Sequence, residues 1–117
     1  MNIINKLISE SQLENKFHIY DFSLNISTVN HGVVFLYCSW NYVLDRFKNL
    51  LTELKENPEI EIWIFDIDEP DFVMHRDLFK TNGWGEIYIL KNGEIVGFVG
   101  KNKGVSLSLL KTTPTPP

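Results

Sequence analysis

The residues able to do chemistry in this chain are few and poorly grouped. Cys38 is the single cysteine, so neither an intramolecular disulfide nor a two-cysteine metal site can form. It ends the apolar run Val33–Cys38, where a thiol is ordinarily buried and inert. A reactive thiolate needs instead a helix N-terminus or a neighbouring cation. His18, His31 and His75 have no metal-like spacing to one another, and no Gly-x-Ser-x-Gly nucleophile motif occurs. His75 has Asp71 and Asp77 close in sequence, a base with orienting carboxylates in a cleft but an ordinary solvated face on a helix. Asp66, Asp68, Glu69 and Asp71 crowd one strand end, without the spacing or the glycine of a calcium loop. No glycine-rich loop is present to cradle a phosphate. These patterns predict no enzyme, no metal and no cofactor.

Composition narrows the partners. At 117 residues, residues 1–111 are expected to form one domain, with a disordered Pro/Thr tail over 112–117. The formal net charge is −4 and the pI about 5.3, which disfavours nucleic acid and anionic membranes and suits a basic protein partner. No apolar run is long enough for a signal peptide or a membrane span, so cytoplasm is the expectation. The sequon Asn25-Ile26-Ser27 then reads as chance. The chain has no alanine and only two arginines, Arg46 and Arg76, which suggests an AT-rich bacterial genome.

The elements follow from periodicity. Ser9-Glu10-Ser11-Gln12 reads as a capped helix start running to about Phe17, and His18–Asn30 as an extended stretch closed by the turn signal Asn30-His31-Gly32. Val33–Cys38 suits a strand buried on both faces. Leu44, Phe47, Leu51 and Leu54 recur at three and four, predicting an amphipathic helix over Tyr42–Lys55 that Asn57-Pro58 ends. Glu59–Ile67 alternates as a second central strand, and Phe72–Lys80 reads as a short helix closed by Thr81-Asn82-Gly83. Ile87–Leu90 and Ile95–Val99 flank Asn92-Gly93, the signature of a type I′ hairpin. Ser106–Lys111 is a candidate last helix. The order gives an α/β sandwich with a mixed sheet and an antiparallel edge.

Three segments in this order resemble the thioredoxin family. Gly83-Trp84-Gly85-Glu86-Ile87-Tyr88-Ile89-Leu90-Lys91-Asn92-Gly93-Glu94 is similar to the family's Gly-Ile-Pro-Thr segment, strand and Lys-Asn-Gly-Glu hairpin. Val34–Trp40 is similar to its central strand, whose tryptophan precedes Cys-Gly-Pro-Cys, and Ile64–Glu69 to its Val-Asp-Val-Asp-Glu strand end. The resemblance implies a thioredoxin-like three-layer sandwich. It also places Asn41 and Leu44 at the family's two cysteine positions and Gly85 at its cis-proline. Neither Asn nor Leu forms a thiolate, so the resemblance points to a redox-inactive member.

That frame gathers Trp40, Asn41 and Tyr42, the acids Asp66, Asp68, Glu69 and Asp71, and Trp84 with Glu86 at one end of the sheet, where open α/β sheets take their ligands. Trp and Tyr anchor protein interfaces and acids steer basic partners. The expected function is a non-catalytic protein-binding domain of the immunity or antitoxin kind that masks a basic bacterial toxin. The alternative is a redox-inactive chaperone or assembly factor binding a client protein. The chain itself is expected to be a monomer or weak homodimer.

Overall fold

The computed structural model describes residues 2–38 and 44–100. The expected helix over Ser106–Lys111, the tail 112–117 and the loop residues Trp40, Asn41 and Tyr42 lie outside them.

The chain runs α1 (Asn2–Ser11), β1 (Phe17–Ile19), a 3-10 turn (Ile26–Thr28), β2 (His31–Tyr37), α2 (Leu44–Leu54), β3 (Glu61–Asp66), a 3-10 helix (Pro70–His75), β4 (Ile87–Lys91) and β5 (Glu94–Val99). The five strands form one sheet in the order β1-β3-β2-β4-β5. β1 and β2 run parallel to β3, while β2–β4 and β4–β5 are antiparallel. This is the expected α/β fold with a mixed sheet and a C-terminal hairpin.

The central strands are buried on both faces, as their near-continuous apolar sequences require. Val33 to Leu36 and Ile62, Ile64 and Phe65 are fully buried, and Trp63 nearly so. In the register Phe35 pairs with Ile64 and Leu36 with Phe65, so Phe35 and Phe65 mark opposite faces. On the Phe35 face α2 packs its apolar stripe, with Phe47 5.1 Å from Phe35 between ring centroids. α1 lies beside α2, Leu7 and Leu51 lining the groove between them. Among the described residues no α-helix covers the Phe65 face: Phe22 from the β1–β2 crossover, and Phe72, His75 and Phe79, close over it with ring centroids 5.1 to 6.4 Å from Phe65.

Three local expectations are corrected. The first helix ends where a start was read: Ile4, Leu7 and Ile8 supply the apolar stripe of Asn2–Ser11. Ser11 Oγ donates back to the Ile8 carbonyl at 2.6 Å, and Gln12 leaves the helix at φ 56°. Ser11 is thus a helix terminator rather than a cap at an N-terminus. His31 and Gly32 are not a turn but the first residues of β2. Gly32 answers to space: a Cβ there would sit 2.8 Å from Val29 and 3.0 Å from the Trp63 ring. The region Phe72–Lys80 holds no α-helix; it is the 3-10 helix Pro70–His75 followed by turns, with Pro70 at the first position.

The hairpin matches its signature, Asn92 and Gly93 having φ of 52° and 81°. Its tip is fastened across the sheet end, Asn92 N donating to the Asn30 carbonyl and Gly93 N to that of Val29, each at 2.9 Å.

Candidate functional site

The parallel strands β1, β2 and β3 deliver Tyr20, Tyr37 and Asp66 to one end of the sheet. Tyr37 and Asp66 are register partners, and Ile67 N continues the ladder to the Tyr37 carbonyl at 3.0 Å. Tyr20 has the left-handed φ of 57°, an unusual conformation for a bulky residue. It is held there from both ends: its N–H donates to the Ile64 carbonyl at 2.9 Å and its hydroxyl to Asp66 Oδ2 at 3.2 Å. Burial first, and the Asp66 carboxylate second, push the Tyr20 hydroxyl well above its usual range, so it stays a donor at physiological pH. Asp66 Oδ1 accepts from Asp68 N at 2.9 Å. Asp66 therefore finishes the strand end, while Asp68, Glu69 and Asp71 are exposed.

The next segment is built in threes. In a 3-10 helix residues three apart lie on one edge. Phe72 and His75 form the inward edge: Phe72 is fully buried, and His75 donates Nε2–H to the Phe22 carbonyl at 2.9 Å while stacking 5.2 Å from Phe65. That commits the other two edges to solvent. Val73 is 64% and Met74 72% exposed, and Leu78 just beyond is 43% exposed. Asp71 and Asp77 flank Met74 in this spacing, and Arg76 lies 6.0 Å over the Phe72 ring.

The loop leading into β4 is organised by one carboxylate. Glu86, 2% exposed, accepts from Thr81 Oγ1 and Asn82 N, both at 2.6 Å, and from Trp84 N at 3.3 Å. Gly83 and Gly85 adopt φ of 78° and 71°, which lets the chain wrap this side chain. Glu86 was expected at a partner-facing surface; burial and its three donors make it the post on which the loop hangs. Trp84, carried by that loop, is 37% exposed. Gly85 stands in a trans peptide rather than the cis geometry of the position it resembles. Between Ile67–Asp68 and the stretch Phe79 to Gly83 opens a concavity of about 580 Å³.

Of the residues singled out from sequence, Asp68 lines this concavity, Glu69 and Asp71 are exposed beyond it, Trp84 rides on the loop next to its Gly83 wall, and Asp66 and Glu86 hold the backbone of the two segments. Val73 and Met74 escaped sequence reasoning and Leu78 was read only as part of a short helix, because pattern alone counts an apolar residue toward the core. Cys38 is fully buried. Among the described residues no cluster of His, Cys, Asp and Glu could hold a metal ion, and no helix is long and apolar enough to cross a membrane.

Neither a scan of family models nor a search of curated proteins finds a match to this sequence. Solved structures do match it in shape. Thioredoxin O2 from Arabidopsis thaliana in the oxidized state superposes with a TM-score of 0.64 at 16% identity, over 85% of this chain and 91% of that one. Thioredoxin O1 from the same plant gives 0.61 at 18% identity, over 83% and 93%. Desulfothioredoxin from Desulfovibrio vulgaris Hildenborough in its reduced form gives 0.60 at 10%, over 82% and 94%. The fold is thioredoxin-like.

Proposed function

We propose that this protein is a redox-inactive, non-catalytic binding domain of the immunity or antitoxin kind, a bacterial cytoplasmic protein that masks a basic toxin. The observation carrying this reading is the placement of charge. Residues 66–78 hold five carboxylates and one arginine, a net −4 equal to that of the whole chain, so the remainder is balanced. Exposed Val73, Met74, Leu78 and Trp84 accompany those acids. Apolar anchors among charges of predominantly one sign are what a tight interface with an oppositely charged partner uses. Against dithiol chemistry stand the single thiol and its full burial. A redox-inactive chaperone is the second reading, favoured by half-exposed Trp84 beside the Gly85 backbone.

The test is affinity capture from the host followed by an activity assay of whatever is captured. One basic protein bound one-to-one, whose toxic activity this chain abolishes, is the expected result. Many weakly held clients would move the assignment to the chaperone, and a captured protein left fully active would defeat the inhibitor. Cys38 should label with a thiol reagent only at the rate of global unfolding; rapid labelling of the native protein would reopen redox chemistry.

A further inference from the structure

Resting on the binding reading above, we infer that the outward edges of the segment Pro70–Leu78 form the docking surface, and that its occupant is an amphipathic, lysine- or arginine-rich segment whose apolar side seats on Val73, Met74 and Leu78. The inward edge of this segment completes the core through Phe72 and His75. Nothing in that packing needs apolar residues on the other two edges. Yet Val73 and Met74 are, with exposures of 64% and 72%, the most exposed large apolar side chains among the described residues. Met suits such a surface, since its unbranched chain adapts to varied apolar partners.

Charge complementarity selects the occupant. Asp68, Glu69, Asp71 and Asp77 are exposed along the chain on either side of these three residues, against the one exposed Arg76, so the segment is net acidic and an acidic amphipathic segment would be repelled. The other exposed apolar pair, Val96 and Phe98 on β5, has no such acids beside it. Glu94 is the single acid in that strand, and Phe98 is already engaged with Tyr88, 5.0 Å between ring centroids.

The experiment titrates the isotope-labelled full chain with a synthetic leucine–lysine peptide of helical amphipathic pattern, reading amide shifts, with a leucine–glutamate peptide as counterpart. Saturable shifts centred on residues 70–78 are expected from the lysine peptide alone. Raising ionic strength from about 0.01 M to about 0.15 M should weaken Kd about tenfold. Val73→Asp with Met74→Asp should weaken it at least about tenfold, although the added negative charge favours the peptide. Val96→Asp adds like charge elsewhere and should not weaken it. Thermal midpoints should be unchanged in both variants, since the substituted side chains lie on the surface. Shifts centred on β5 or on the α1–α2 groove, or undiminished binding by the Val73→Asp/Met74→Asp variant, overturn the proposal. A host toxin still inhibited by that variant overturns the surface and leaves the inhibitor standing. Peptide binding at 70–78 with no host protein inhibited supports the surface and removes the inhibitor.

Discussion

Replacing Glu86 by Gln tests whether a buried carboxylate organises the loop that carries Trp84. The side chain keeps its size, so the change is confined to charge and donor pattern. Oε1 receives Thr81 Oγ1 and Trp84 N, and Oε2 receives Asn82 N. A hydrogen bond to an ionised acceptor contributes about 1.5–3 kcal/mol against about 0.5–1.5 for a neutral one, so the two bonds an amide oxygen retains each weaken by about 1 kcal/mol. The new NH₂ group then faces the Asn82 N–H, donor against donor, at about 1 kcal/mol more. Relief from desolvating a carboxylate offsets part of this, on the order of 1 kcal/mol. The net loss is about 2 kcal/mol, which in a domain of this size lowers Tm by about 8 °C. Thermal unfolding followed by far-ultraviolet circular dichroism measures it. Thr81→Val, which removes one donor and leaves the charge, should cost about half as much. An equally or more stable Glu86→Gln protein would refute the reasoning: desolvation of the carboxylate would then outweigh its hydrogen bonds, and the loop would owe its shape to the two glycines.

Two further predictions concern stability. Burial first and the Lys91 ammonium second hold the His31 imidazole below its usual 6.5, with Glu59 opposing weakly. The unfolded chain therefore binds the proton first as pH falls, so this residue's contribution to stability is complete above about pH 6.5 and is lost below it. Urea midpoints should rise from pH 5 to pH 7 in the native protein, and less steeply in His31→Gln; identical slopes would show that another group carries the dependence. Gly93→Ala places a Cβ at φ 81° and 3.1 Å from the Ser27 carbonyl oxygen, where the backbone cannot yield without parting the hairpin tip from residues 27–30. A loss of about 1–2 kcal/mol is expected from the conformation alone, and a change within about 0.5 kcal/mol would mean the tip is not fastened as described.

What was legible in the sequence depended on how much core each segment had to make. β2, β3, α2 and the β4–β5 hairpin announce themselves because continuous apolar runs, a three-and-four period and Asn-Gly each admit one solution. β1 is three half-buried residues held by pairing with β3, a long-range contact that no local pattern encodes. The serines near residue 10 carry cap chemistry at either end of a helix, and only the stripe of Ile4, Leu7 and Ile8 decides which end it is. At the candidate site, charge marked Asp68, Glu69 and Asp71 as exposed, and misled at Glu86, because charged side chains are seldom fully buried unless a local donor set accepts them.

The geometry of the segment Pro70–Leu78 sets which of its apolar residues face the core and which are left outside. An apolar side chain in sequence counts toward the core only if the local helix turns it inward, and at three residues per turn Val73 and Met74 each lie a third of a turn away from the Phe72 edge. The 3-10 geometry spends one edge on Phe72 and His75 and leaves Val73 and Met74 outside. Folding therefore needs Phe72 and His75 and is indifferent to Val73 and Met74. Phe72→Ala should cost about 3–5 kcal/mol by emptying a fully buried site against Phe65, whereas Met74→Ala should change stability by less than about 0.5 kcal/mol. Side chains that stability does not require, set among acids holding the chain's whole net charge, are where binding can be separated from folding. A stability loss at Met74 approaching that at Phe72 would return the segment to the core and take the docking surface with it.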